Sequence, residues 1–140
     1  MLDRPLPAPD QDSTAYWDAA HRHELVVQFC ADCRSYQFYP RSICVACGSS
    51  EVSWRPASGR GVIYSYTINH RAPGAWATDR VPYVVALVDL AEGPRMLANI
   101  VGSDPEAVRI GSEVNVVFED VTDSISLPQF TITSSSQPTD

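Results

Sequence analysis

Four cysteines carry the clearest chemistry in this chain. They stand as Cys30-Ala-Asp-Cys33 and, ten residues later, Cys44-Val-Ala-Cys47. Each Cys-x-x-Cys turn aims two sulfurs at one point, and two such turns complete a tetrahedral shell of four thiolates. A shell with four protein ligands has no open position, so the chemistry implied is that of a structural metal. Zn²⁺ is the metal this set favours, while iron in a rubredoxin-like site uses the same ligands. A dithiol redox centre calls for a βαβ context, and two disulfides call for an oxidising compartment. His21 and His23 precede the first pair. With four thiolates already available they read as surface or helix-end residues. A ribbon of about 20 residues cannot bury a core of its own, so metal binding supplies the missing folding free energy.

Other reactive groups are few. The chain has 140 residues and all ten basic side chains are Arg, which excludes a Schiff-base lysine, a PLP anchor and a P-loop Lys. No Gly-x-Ser-x-Gly, phosphate-cradling glycine loop or His-Glu-x-x-His occurs. His70 and the carboxylates remain, among them Asp89 inside an apolar strand, where a strand-end acid is ordinarily solvated. The most distinctive loop is Asn69-His70-Arg71 through Trp76 to Asp79, followed by Arg80. Loops of this kind carry functional residues; Trp76 either stands exposed there or packs back onto the fold. No catalytic constellation is assigned, and an enzyme acting alone is not the expectation.

Charge places limits on ligands. Seventeen acidic residues against ten basic ones give −7, which argues against a general nucleic-acid binder. The excess is uneven, since residues 30–60 carry four Arg against Asp32 and Glu51, a local +2 in an acidic chain. The opening residues show no hydrophobic signal region, and no apolar run approaches the roughly 18 residues of a membrane span. These features predict a cytoplasmic protein without a membrane segment.

Around the cysteines the elements follow from pattern. Asp12 or Ser13 caps a short helix to about His21, with Tyr16, Trp17 and Ala20 on one face. That face packs on its own chain or on a partner. Leu25 to Phe29 is a strand leading into Cys30, and a two-stranded ribbon through Tyr36–Tyr39 spans the cysteine pairs. Strands are then expected over 61–69, 83–90, 95–101, 113–119 and 127–133, with one helical turn opening at Asp104-Pro105-Glu106. The near-continuous apolar run 83–90 reads as a strand covered on both faces. Five strands in about 75 residues suit an OB-fold barrel, with an open meander as the alternative. The fold expected is therefore mainly β: an N-terminal arm and helix (1–24), a rubredoxin-like zinc ribbon (25–58), a five-stranded OB-fold (59–133) and a disordered tail (134–140).

The order of motifs goes further than any one of them. Tyr16-Trp17, Cys30-x-x-Cys33, Tyr39-Pro40-Arg41, Cys44-x-x-Cys47-Gly48, Ser58-Gly59-Arg60-Gly61, Tyr64-Ser-Tyr66, Pro82-Tyr83-Val-Val-Ala-Leu-Val, Ile110-Gly111 and Leu127-Pro-x-Phe130 follow one another across residues 13–132. Together they resemble the zinc-ribbon plus OB-fold family of acyl-CoA-associated proteins. The resemblance implies a non-catalytic accessory subunit of a thiolase-like enzyme, or of an aldolase or hydratase of steroid catabolism. The partner would supply the catalysis, while this chain would help form the acyl-CoA channel. Arg34, where the family often has Gly, and Tyr39, where a second Pro is common, depart from the pattern.

Coenzyme A is a polyanion with an adenine ring, so an acidic protein needs a local cationic, aromatic patch to hold it. Tyr39, Arg41 and Arg60 near the ribbon are candidates for the nucleotide half. His70, Arg71, Trp76 and Tyr83 are candidates for covering the acyl half. Two other readings stay open: a purely structural assembly module, and an OB-fold binding single-stranded nucleic acid through Tyr64, Tyr66 and Trp76.

Overall fold

A computed structural model of the chain describes residues 4–133; the tail expected over 134–140 lies outside them. Helix α1 (Thr14–His21) is followed by strands β1 (Val26–Cys30), β2 (Tyr36–Gln37) and β3 (Val52–Pro56), then by β4 (Arg60–Asn69), β5 (Tyr83–Leu90), β6 (Arg95–Ile100), β7 (Glu113–Asp120) and β8 (Ser126–Ile132). Single 3₁₀ turns lie at Ala75–Ala77 and Pro105–Ala107. Among the described residues no helix is long and apolar enough to cross a membrane.

The ribbon sheet has three strands, in the order β2-β1-β3, and not the two expected. Strand β3 pairs antiparallel with β1 from Val26↔Pro56 to Cys30↔Val52. Its sequence, Val-Ser-Trp-Arg-Pro, is short and closes on a proline, so alternation alone did not reveal it. Strand β2 is only two residues long. The polar interior of the ribbon is built on glutamines. Gln28, buried on β1, donates Nε2 to the Arg41 carbonyl (2.9 Å). Its Oε1 accepts from Gln37 Nε2 (2.8 Å) and the Arg41 N–H (3.0 Å). Gln37 Oε1 accepts the Val45 N–H at 2.9 Å. Two amides thus satisfy backbone groups that a ladder this short leaves over.

Strands β4-β5-β6-β8-β7 close a barrel, as an OB-fold requires, and the open meander is ruled out. Closure uses antiparallel pairing of β4 with β7 and a parallel contact between β6 and β8 at Ile100↔Phe130. Phe130, Ile63, Val84, Val88, Met96 and Val114 fill the interior. Strand β5 alternates between half-buried and buried positions along its length, so one face is core and the other is partly covered. Continuous apolarity there overstated the burial, because the outer residues Val85 and Leu87 lie in a central strand whose outer face stays half-open. Gly61 sits between two neighbours, opposite Leu90 on β5 and Val114 on β7. A Cβ at Gly61 would lie 2.6 Å from Val88 Cγ1 and 2.9 Å from the Asp89 carbonyl oxygen.

Helix α1 packs on its own chain, against β8 and β1. Tyr16, Ala19 and Ala20 are its buried face. Ser13 is the N-cap residue, but its hydroxyl does not cap the helix. It accepts the Asp10 N–H instead, and the Asp10 carboxylate takes the N–H groups of Asp12 and Ser13. These bonds, led by the one with Ser13, hold the Asp10 carboxyl below its ordinary pKa.

Candidate metal centre and adjoining clefts

The two Cys-x-x-Cys turns repeat one backbone plan. The Arg34 N–H returns to the Cys30 carbonyl and the Gly48 N–H to the Cys44 carbonyl, each at 2.8 Å. The Cys30 and Cys44 N–H groups reach Ser35 and Ser49 in the same way (2.9 and 2.8 Å). Both turns then need a left-handed residue, supplied by Arg34 (φ 60°) and Gly48 (φ 80°). Glycine meets that requirement freely, whereas an arginine is strained there.

All four Sγ atoms lie within 4.8 Å of one another. Cys30 and Cys47 are 3.7 Å apart, and Cys33 and Cys44 are 3.6 Å apart. These separations are far beyond a disulfide bond of about 2.05 Å. They match the edge of a tetrahedron with metal–sulfur bonds of about 2.3 Å, roughly 3.8 Å. The donor set and its spacing therefore fit a structural metal, and neither His21 nor His23 joins it.

The four thiols act on one another's ionisation. N–H groups of Cys47 and Ala46 hold Cys44 down at about 6. Cys30 is lowered chiefly by the Cys33 N–H. Cys47 receives the Ser49 N–H, yet partial desolvation and the three neighbouring thiols outweigh it and push it up to about 12. Crowded sulfurs cannot all ionise alone; a divalent cation at their centre removes the conflict. Cys30 and Cys44 are buried, and Cys33 and Cys47 exposed.

The other candidate residues lie around the barrel and ribbon. Tyr39 belongs to an apolar groove of about 310 Å³, with Trp17, Pro40, Leu97, Leu127 and Pro128 in its walls. Edge-on contacts link Trp17, Tyr16, Phe38 and Tyr39 in series. Arg41 lines a neighbouring cleft with Pro40, Ile43 and Val45. Its backbone is fixed by Gln28, and among the described residues its guanidinium has no ion-pair partner. Trp76 and Tyr83 line a third cleft, of about 340 Å³, with Arg80, Asn99, Glu119 and Gln129.

These three clefts share walls. Pro40 separates the first two, and Asn99 with Gln129 separates the first from the third. They lie side by side from the ribbon, through the apolar groove, to the 70–82 loop, a line of adjoining clefts termed the furrow. Trp76 is half-buried over Gly74, whose added Cβ would lie 2.7 Å from the indole nitrogen. Asn69 donates to the Tyr83 hydroxyl at 3.0 Å and ties the two ends of the loop together. Arg60 lines a separate cleft with Asp89, Glu113 and Asn115, while His70 and Arg71 are exposed on the loop and line none of the four.

Sequence reasoning missed three polar clusters: the Gln28–Gln37 pair, Arg4 with Glu119 and Gln129, and His23 with Asp120. His23 (φ 64°) contacts Asp120 at 2.7 Å and stacks on Phe118, and Ser126 donates to the same carboxylate. Partners 97 and 115 residues apart leave no local pattern. The one available signal was Gln28 itself, an amide inside an apolar strand.

Comparison with known proteins matches the architecture piece by piece. Residues 17–53 match the family model described as "ChsH2, rubredoxin-like zinc ribbon domain" and residues 54–119 the one described as "ChsH2, C-terminal OB-fold domain". A "probable enoyl-CoA hydratase alpha subunit" of Thermomonospora curvata is 37% identical over 127 residues, covering 91% of this chain but 39% of that protein. The chain thus spans about two-fifths of the length of that relative. A "DUF35 domain-containing scaffold protein" of Methanothermobacter thermautotrophicus is 38% identical over 101 residues, 71% of this chain and 75% of that one. Among solved structures, a chain of the "Ltp2-ChsH2(DUF35) aldolase" superposes with a TM-score of 0.81 at 36% identity, covering 90% of this chain and 98% of that chain. The ordered motifs, the four-thiol ribbon, the closed barrel and these matches have one reading: the chain belongs to the ChsH2 family of DUF35 zinc-ribbon and OB-fold proteins.

Proposed function

We propose that this chain is a non-catalytic accessory subunit that assembles with an acyl-CoA enzyme of the thiolase, aldolase or hydratase type and helps form its acyl-CoA channel. The observation that carries this reading is its near-complete overlap with a chain of the solved "Ltp2-ChsH2(DUF35) aldolase". Zinc is the metal proposed for the four thiols, where it would hold the ribbon together; the chemistry of four thiolates with no open position gives it no catalytic part.

The furrow suits the ligand class. Arg41, exposed and without an ion pair among the described residues, supplies a cation at the ribbon end, and Tyr39 offers a ring that is 54% exposed beside it. The apolar groove continues towards Trp76 and Tyr83. A phosphate-bearing nucleotide at the ribbon and an apolar acyl chain towards the 70–82 loop would be accommodated in that order. Arg60 lies off this line, and His70 and Arg71 would meet ligand or partner only at the rim.

Affinity purification of the tagged chain from its native host, with mass spectrometry and a metal assay, tests the assembly. Near-stoichiometric recovery of an acyl-CoA enzyme subunit and about one zinc per chain is expected; a zinc-bearing chain that comes down alone refutes it. In the purified complex, Ala at both Arg41 and Arg60 should raise the KM for acyl-CoA about ten-fold, with Arg41→Ala carrying most of the effect. An unchanged KM with assembly intact would favour the second reading, a scaffold that never touches ligand, for which the name of the archaeal relative speaks.

A further inference from the structure

The cleft beside the 70–82 loop contains a side chain that the ligand reading does not use. Arg4, on the N-terminal arm, places its guanidinium across the Glu119 carboxylate, Nη1 to Oε2 at 2.9 Å and Nη2 to Oε1 at 3.4 Å. Its Cζ stands 5.8 Å from the Trp76 ring centroid. Buried Gln129 donates Nε2 to Glu119 Oε1 at 2.9 Å and helps to fix the carboxylate. Carboxylate, amide support and indole face together are the parts that recognise a planar guanidinium, which an ammonium group could not bridge in the same way.

A second arginine waits at the same place. Arg80 Nη2 is 3.9 Å from Glu119 Oε2, beyond hydrogen-bond reach, with its side chain 45% exposed against 19% for Arg4. If Arg4 left and nothing replaced it, a partly buried carboxylate would lose its cation. Arg80, already 3.9 Å away, is near enough to take that place. Either occupant leaves Glu119 paired, so release of the arm is opposed mainly by the lost bidentate geometry and is favoured by the freedom the arm regains.

We propose that Glu119, Gln129 and Trp76 form a guanidinium-binding socket, that Arg4 is its displaceable occupant, and that Arg80 is the alternate one. With Arg4 seated, Glu119 already has its bidentate partner, and Arg80, 3.9 Å away and 45% exposed, is a surplus cation at the 70–82 loop. With Arg4 gone, Arg80 becomes the carboxylate's partner and the loop loses that surplus charge. The arm thereby sets whether this end of the furrow presents a cation. The proposal needs neither acyl-CoA nor a partner enzyme, so it can fail without touching the accessory-subunit reading.

The test is a titration of the full-length chain with N-acetyl-arginine amide at constant ionic strength, followed by tryptophan fluorescence. The variant carrying Arg4→Ala and Arg80→Ala should saturate at a concentration about ten-fold lower than wild type, and should prefer the arginine amide to N-acetyl-lysine amide by about five-fold. Adding Glu119→Gln should abolish saturation, and adding Trp76→Phe should remove the optical signal although Trp17 and Trp54 remain. A double variant that responds like wild type, binds the lysine amide equally well, or is indifferent to Glu119→Gln overturns the socket. Should circular dichroism show the double variant unfolded, Arg4→Lys keeps the arm and its charge. It should yield to the arginine amide about three-fold more readily than wild type, and equality with wild type overturns the proposal.

Discussion

Arg34 holds a left-handed backbone position that its counterpart in the second cysteine turn, Gly48, occupies without strain. The position is imposed by the return bond from its N–H to Cys30, so the side chain bears a conformational cost and gains no ion pair among the described residues. Arg34→Gly should therefore stabilise the folded ribbon by about 1 kcal/mol, partly offset by the greater freedom of glycine in the unfolded chain. Thermal unfolding of the metal-loaded protein checks this, and a lower Tm would show that the guanidinium makes a contact of real value. Two neighbouring carboxylates give the pH dependence. Asp120 is held below its ordinary pKa first by the Ser126 hydroxyl and then by His23, and Glu119 first by Arg4 and then by Gln129. A carboxyl depressed in the folded state stabilises above its unfolded pKa, and that stability is lost as pH falls through the folded value. The contribution of these two carboxylates should be constant near neutrality and be lost on acidification below about pH 4, in addition to any loss of metal from the thiolates. Glu119→Gln should make that decline shallower; an unchanged acid limb would remove Glu119 from the account.

At the scale of elements, most of the fold could be read before it was seen. Alternation and turn residues located the five barrel strands to within a residue or two, because each is long enough for its period to show and is bounded by Gly, Pro or Asp. Cysteine spacing located the ribbon. Strand β3 escaped because its five residues include two polar ones and a terminal proline, and its place is set by pairing with β1 rather than by its own pattern. The candidate site was legible only in part. Tyr39, Arg41, Trp76 and Tyr83 fall in three adjoining clefts, but Arg60 falls in a separate one, since the path from ribbon to barrel turns it into β4, where it pairs with Asn115. Linear proximity to the cationic segment could not anticipate that turn. Gly61 shows what β4 needs in order to pair on both sides. Gly61→Ala would force a methyl against the Val88 side chain and the Asp89 carbonyl, and should cost about 2 to 3 kcal/mol. A denaturant midpoint within experimental error of wild type would mean that the barrel mouth yields more easily than its contacts indicate.

At the scale of the molecule, the metal centre and the barrel depend on different sources of stability. The barrel has a packed interior around Phe130 and Ile63, which Leu25 and Val27 at the start of the ribbon join, while the cysteine turns beyond them have two glutamines, a few rings and four sulfurs. Cys44→Ser should reduce bound metal to near zero and unfold the ribbon, since structural zinc supplies on the order of 10 kcal/mol to such units. Hydrogen exchange should then show protection lost over β1, β2 and β3 and largely kept in β4 to β7. Equal loss in both sheets would mean that the two form a single cooperative unit.

Helix α1 adds a consequence in time. Tyr16, Ala19 and Ala20 lie near the beginning of the chain, but part of what covers them is β8, about a hundred residues further on. At translation speeds of roughly 5 to 20 residues per second, the nascent helix emerges several seconds before that cover exists. The barrel cannot close earlier either, because β8 is the strand joining β6 to β7. A ribosome that stalls in the β7–β8 turn therefore holds a chain with an uncovered aromatic helix face and two unpaired sheet edges, a species for chaperones to shield rather than a half-finished but soluble domain.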